Sequence, residues 1–228
     1  MLDIERHRLI MVRILKDVFT EITLENALGL KGGTAAYLLY DLPRFSVDLD
    51  FDLLLTEKER DVFLKIESLL RSYGDLSEQR EKRSTLFFLL SYATGQRKIK
   101  IEISKRQFPN RYENKGFLGI SLRVMLREDM FAHKLVAFLE RKETANRDIF
   151  DLWFFAKNGW DINRELVELR TGMLFRRYID KCMDKIGKIN ERYLLQGLGE
   201  LLSPKMKSWV KADLKKETLF YLEARFRL

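Results

Sequence analysis

The stretch KGGTAAYLLYDLPRFSVDLDFD, residues 31–52, puts a Gly-Gly pair ahead of a short apolar segment and then alternates aspartates with apolar residues. Gly32 and Gly33 let the backbone approach a ligand closely, and Thr34 can cap the helix that follows. Amide groups and the positive end of the helix dipole would then converge on one spot that suits a phosphate. Side chains two apart on a strand share a face, so Asp48 and Asp50 point together while Leu49 and Phe51 turn towards a core. Asp52 shares the aspartate face and is expected to end it in solvent. Adjacent carboxylates favour a hard divalent cation such as magnesium. A phosphate cradle beside such a pair suits metal-assisted phosphoryl or nucleotidyl transfer, in which the cation bridges phosphate oxygens and offsets the charge developing on them.

Two further segments carry chemistry. In KIKIEIS, residues 98–104, Ile99, Ile101 and Ile103 fall on one strand face, which leaves Lys98, Lys100, Glu102 and Ser104 on the other. Glu102 therefore faces away from the apolar side, free to pair with a lysine on a neighbouring strand or to join a site. In the helix expected around Arg127 to Arg141, Lys134 is spaced at three or four residues from Met130, Phe131 and Phe138 and so lies on the inward face. Burying an ammonium group is costly unless it snorkels to the edge or meets an anion, and both remain open. Asp148 and Asp151 share one face of the next helix, where Asp148 can equally start the first turn.

These residues need an α+β frame. The patterning predicts an N-terminal helix over Ile4 to Ile22, the Gly-Gly turn and short helix, the aspartate strand, and a helix over Glu57 to Tyr73. A strand-rich stretch from Leu76 to Ser104 and a short strand over Ile120 to Met125 follow. Beyond them the chain reads as helical, with Pro204 ahead of a last helix carrying Trp209, Leu214, Leu219 and Leu222. A boundary near residue 125 would give domains 1–125 and 126–228 with a cleft between them. The 228 residues are 46% hydrophobic, ample for a core. No apolar run approaches a membrane span, and the charged N-terminus is not a signal peptide, so the expected location is the cytoplasm. A single cysteine, Cys182, and two histidines, His7 and His133, exclude an intrachain disulfide and argue against zinc. The formal net charge of +8 favours a polyanionic partner. Basic residues concentrate at Arg80, Lys82 and Arg83, at Arg97, Lys98 and Lys100, at Lys105, Arg106 and Arg111, and from Lys205 to Lys216.

The KGGT turn and the RFSVDLDF strand resemble the nucleotidyltransferase signature of the polymerase-β superfamily, and more closely the AbiEii/AbiGii toxin family. The family also has a helix lysine followed by a basic stretch and an RD-x-x-DL motif, matched by Lys134, Arg141, Arg147, Asp148, Asp151 and Leu152. The resemblance implies an N-terminal polymerase-β-like domain with a mixed sheet and a C-terminal helical domain completing the active-site cleft. It gives Asp48 and Asp50 the metal-binding roles, with Glu102 as third carboxylate, metal ligand or base. Gly32, Gly33, Thr34 and Ser46 become nucleotide-binding residues, Lys134 holds the triphosphate, and Asp148 takes an active-site part, with Arg44 and Ser46 just ahead of the acidic pair. The implied reaction is magnesium-dependent transfer of a nucleoside monophosphate from an NTP to RNA, with the 3′ end of tRNA as acceptor, in toxin–antitoxin or phage-defence systems. A cognate antitoxin protein is the implied partner. The alternatives are transfer to a protein or small-molecule hydroxyl, and nucleotide or RNA binding without turnover.

Overall fold

The computed structural model describes residues 3–142 and 145–227. The chain forms two compact units: residues up to Asp41 with Phe45–Met125, and Leu42–Arg44 with the chain from Leu126 onward.

The first unit runs α1 (Ile4–Val18), α2 (Ile22–Ala27), β1 (Leu28–Lys31), α3 (Gly32–Leu39), β2 (Asp48–Leu53), α4 (Glu59–Arg71), β3 (Asp75–Lys82), β4 (Thr85–Ser91), β5 (Ile99–Ser104), β6 (Tyr112–Phe117) and β7 (Ile120–Met125). Among the described residues the strands make one mixed seven-stranded sheet in the order β3-β4-β5-β2-β1-β7-β6. The expected α+β class with a mixed sheet is therefore what the chain adopts. β2 is central, parallel to β5 and antiparallel to β1. Period-2 patterning gives the sheet a buried face of Leu49 and Phe51, Leu86, Phe88 and Leu90, and Ile99, Ile101 and Ile103. Against it lie the buried sides of α1 (Met11, Ile14, Leu15, Val18) and α4 (Val62, Phe63, Ile66, Leu70), with Phe63 and Phe88 ring centroids 4.9 Å apart. Each such side chain stabilises by about 1.5–3 kcal/mol.

Three features depart from the patterning. The N-terminal helix ends at Val18 instead of Ile22, because the Thr20 hydroxyl bonds back to the Lys16 carbonyl (2.9 Å) and Glu21 caps α2 by accepting from the Leu24 amide (2.7 Å). β1, only four residues long, lies directly ahead of the Gly-Gly turn, in a stretch to which the patterning assigns no element. β6 is a polar edge strand containing Gly116 and carries no alternating signal.

The second unit contains α5 (Arg127–Glu140), α6 (Asn146–Lys157), α7 (Arg164–Thr171), α8 (Phe175–Gly187), α9 (Pro204–Ala212) and α10 (Leu214–Phe226). Every residue of α6 from Asp148 to Ala156 is buried, so this helix is its core. Trp153 Nε1 donates to Glu217 of α10 (2.8 Å), and Arg225 donates to the Ala156 carbonyl (2.9 Å). The single last helix expected after Pro204 is two helices meeting at Asp213, with Ser203 capping the first and Pro204 at its opening position.

Candidate active site

The acidic row stands on the open face of the sheet. β1 places Lys31 opposite Asp50 and Gly29 opposite Asp52, while β5 places Lys100 beside Asp48 and Glu102 beside Asp50. Registered neighbours share a face, so Asp48, Asp50, Asp52, Glu102, Lys31 and Lys100 project together.

Helix α3 opens directly out of β1. Gly32 adopts φ +79°, a left-handed value that suits glycine, and a Cβ there would sit 2.9 Å from Asp50 Oδ2. Glycine is thus required both for the turn and for the approach of Asp50 to the helix terminus. The amides of the first turn, Gly32 to Thr34, have no intrahelical acceptors. Thr34 does not cap this helix: the cap residue is Lys31, without a side-chain bond, and Thr34 lies inside the first turn. Its buried hydroxyl donates to the Asp48 carbonyl and lies 2.8 Å from Ser46 Oγ, tying α3 to the start of β2. Ser46, itself buried, completes that tie. His7 secures the same point from behind. Its Nε2 donates to the Val47 carbonyl (3.0 Å), which leaves Nδ1 to accept from the Tyr92 hydroxyl (2.9 Å). Burial, opposed by the Val47 bond, holds the imidazole below its ordinary pKa.

Of the two lysines on this face, Lys100 is the one that meets Asp48 and Glu102. Its Nζ pairs with Glu102 (2.5 Å) and lies 3.6 Å from Asp48. Burial works against its charge, but Asp48, Asp50 and Glu102 outweigh burial and hold the ammonium above its usual range. Burial pushes the Asp50 carboxyl up, Lys100 opposes this, and Asp48 and Glu102 add to it. The face therefore carries more negative charge than its lysines offset. Among the described residues no three His, Cys, Asp or Glu side chains converge to hold a metal ion. Asp48 and Asp50 nonetheless fit a hard cation that draws its remaining oxygens from phosphate, since the raised Asp50 carboxyl would be relieved by positive charge.

Asp52 does not end in solvent. It is 4% exposed, ion-paired with Lys31, and accepts from Asn110 Nδ2 (3.0 Å) and the Tyr112 hydroxyl (2.7 Å). Tyr112 reaches it by lying over Gly29, where a Cβ would run into the ring. Sequence reasoning does not reach this because the partners come from β1 and from β6 and its approach, which carry no strand pattern of their own.

In the helical unit, Lys134 meets an anion within the protein. Its Nζ lies 3.1 Å from Asp148 Oδ1 and 2.9 Å from Asp151 Oδ2, with both aspartates fully buried. Arg44 grips Asp151 through two bonds, Nε to Oδ1 at 2.6 Å and Nη2 to Oδ2 at 2.7 Å, and Arg141 lies 3.1 Å from Asp148 Oδ2. Burial opposes both charges, yet Arg44 and Lys134 hold the Asp151 carboxyl below its usual range, and Asp148 and Asp151 hold Lys134 above its own. Asp148 sits in the first turn of α6, which also suits a carboxylate. The Arg44–Asp151 pair was not legible in the chain, although an arginine in the otherwise apolar run around Leu42, Phe45 and Val47 is the signal that a buried carboxylate should be sought for it.

A glycine-opened helix beside a strand of alternating aspartates, on a mixed sheet joined to a helical unit, defines a nucleotidyltransferase-type protein. The model of one family, described as "Nucleotidyl transferase AbiEii toxin, Type IV TA system", matches residues 13–217, and the chain belongs to that family. A candidate nucleotidyltransferase from H. pylori, known from its crystal structure, is 25% identical with a TM-score of 0.61, over 97% of this chain and 96% of that one. JHP933 from Helicobacter pylori shares the fold at 24% identity and a TM-score of 0.60, over 99% and 96% of the respective chains. No curated protein matches. The chain is therefore a nucleotidyltransferase-family toxin of a toxin–antitoxin system, a setting that implies a cognate antitoxin. No helix among the described residues is long and apolar enough to cross a membrane.

Proposed function

We propose that this protein transfers a nucleoside monophosphate from an NTP to the 3′-terminal hydroxyl of an RNA, with tRNA as the acceptor, in a magnesium-dependent reaction that serves growth arrest or phage defence. The observation that carries the reading is the close approach of Asp50 to Gly32, which sets a carboxylate pair at the amide-lined opening of a helix. The acceptor oxygen would form a bond to the α-phosphorus as the bond to the β-phosphate oxygen breaks, so pyrophosphate leaves with the electron pair. The amides of Gly32, Gly33 and Thr34 would receive phosphate oxygens, with Ser46 and the Thr34 hydroxyl fixing that turn. Glu102 would take the hydroxyl proton, and in doing so part from Lys100. Lys134, oriented by Asp148, is assigned to the triphosphate. Asp48 and Asp50 would hold the magnesium, which would offset charge on the phosphate oxygens, with Glu102 as the alternative further ligand where it does not act as the base. In this reading residues 1–125, apart from Leu42–Arg44, form the nucleotidyltransferase domain, and residues 126–228 with that segment form the helical domain. RNA is favoured over a protein or small-molecule acceptor by the net charge of +8.

The test is incubation of the protein with magnesium, each labelled NTP in turn and total tRNA, beside Asp50→Ala. Asp50-dependent label on RNA supports the reading and names the nucleotide. Label on protein or on small molecules instead would move the acceptor to those classes, and no label anywhere would leave nucleotide or RNA binding alone.

A further inference from the structure

A cavity of about 290 Å3 opens at the far end of the acidic row, lined by residues 52–54 at the end of β2 and by Arg106, Gln107, Phe108, Asn110 and Tyr112 from the segment between β5 and β6. We propose that it receives the terminal nucleoside of the acceptor strand, its base against the Phe108 and Tyr112 rings and the adjoining phosphate at Arg106. The inference rests on the reading of the protein as a nucleotidyltransferase acting on RNA.

The cavity is built by specific bonds. Asn110 and Tyr112 both donate to the buried Asp52 carboxylate, and Gln107 Nε2 donates to the Leu53 carbonyl (3.0 Å), so the segment is pinned over the strand end. Gly29 supplies the room that lets the Tyr112 ring lie over the sheet. Lys105 is held by Glu59 (2.8 Å), while Arg106 projects at the surface. The run KRQFPNRY thus alternates basic and aromatic groups, the pairing that binds single strands through stacking and phosphate contacts. At the low end of ligand-pocket volumes, which begin at about 300 Å3, the cavity suits one nucleoside and is too small for a nucleoside triphosphate.

Its position fits an acceptor better than a donor. β1 runs from Leu28 opposite Leu53 to Lys31 opposite Asp50, so Gly32 and Gly33 follow at the Asp50–Asp48 end of β2. The cavity begins at Asp52, about 7 Å along the strand in the other direction from Asp50. Attacking and leaving oxygens lie on opposite sides of the phosphorus in this chemistry. With the leaving pyrophosphate at Gly32 and Gly33, the hydroxyl must arrive from the side on which the cavity lies.

The experiment measures fluorescence anisotropy of a 5′-labelled single-stranded RNA pentanucleotide with a free 3′ hydroxyl, and separately the binding of a fluorescent NTP with magnesium, for the full chain, Phe108→Ala and Arg106→Glu. Arg106→Glu alters an exposed side chain, so it reports even where Phe108→Ala perturbs folding, which circular dichroism checks. The expected result is about ten-fold weaker oligonucleotide binding in each variant with NTP binding unchanged. Unchanged oligonucleotide binding, no oligonucleotide binding by the full chain, or a loss confined to NTP binding would each overturn the proposal, the last by giving the cavity to the incoming base. If the variants lose the oligonucleotide as expected but the full chain labels no RNA, the cavity assignment stands and the transferase reading fails. If RNA is labelled and its KM is the same in the variants, the transferase reading stands and the cavity assignment fails.

Discussion

The sheet face and the core of the helical unit hold the same ingredients, lysine among aspartates, in opposite proportion. On the sheet, Asp48, Asp50 and Glu102 share Lys100, whose side chain is 28% exposed, and Asp50 is pushed towards protonation by burial and by its acidic neighbours. In the helical unit, Asp148 and Asp151 are met by Lys134, Arg44 and Arg141, and Asp151 is held in its ionised form. The first arrangement is short of positive charge and the second has it in excess. Net negative charge remains on the sheet face, and net positive charge on the helical cluster. Carboxylate count alone does not separate an acidic row left short of cations from a buried ion cluster. The accompanying cations decide it.

The comparison breaks first at Asp50. Asp50→Ala should lower nucleotide transfer by about a thousand-fold or more while leaving the melting temperature unchanged or raised, since the replaced carboxylate is unfavourably placed. A transfer assay and a thermal melt on the same sample check both halves, and a strongly destabilised variant would contradict the contrast. Lys134→Met should cost about 3–5 kcal/mol in urea unfolding, because it removes the one cation that Asp148 and Asp151 share in the core. Lys100→Met, on the more open face, should cost about 1 kcal/mol or less, and magnesium should raise its melting temperature more than it raises that of the unaltered protein. Equal losses for the two lysines would remove the distinction. Arg44→Lys should cost about 2 kcal/mol in the same denaturation, since an ammonium cannot reproduce the two-point grip on Asp151.

Acid should sharpen the contrast with the smallest effect. His7 has a folded pKa below its ordinary 6.5, so its contribution to the sheet unit is complete above pH 6.5 and is lost as pH falls below it. The slope is at most about 1.4 kcal/mol per pH unit. Asp151 has the same sign, with its contribution complete above 3.8 and lost only below that. His7 should therefore lower stability from pH 7 to 5, and His7→Phe should remove that decline and expose any rise from Asp50, whose raised carboxyl has the opposite sign, while Arg44→Lys keeps the native slope.

Much of this was readable from local patterns. Alternation placed Asp48, Asp50 and Glu102 on one face and Ile99, Ile101 and Ile103 on the other, and three-residue spacing put Asp148 beside Asp151. What escaped were pairings between distant segments: Asp52 with Tyr112, 60 residues apart, and Arg44 with Asp151, 107 apart. Neither has a local signature, and the Asp52 pocket also depended on short or polar strands, β1 and β6, whose form comes from their neighbours in the sheet and not from their own residues. Thr34 misled for a related reason. Its type suits a cap, but the turn at Gly32 starts the helix earlier and turns its hydroxyl towards β2.

Leu42–Arg44 interrupts the sheet unit and belongs to the helical one. During synthesis, Arg44 leaves the ribosome 107 residues ahead of the aspartate that neutralises it, so the buried ion cluster closes only after synthesis has passed residue 151. A cut after Met125 separates no natural halves: it strands the guanidinium on one fragment and deprives Asp151 of it on the other. Dissection of this toxin into independently expressed domains would have to carry a copy of the Leu42–Arg44 segment with the C-terminal piece.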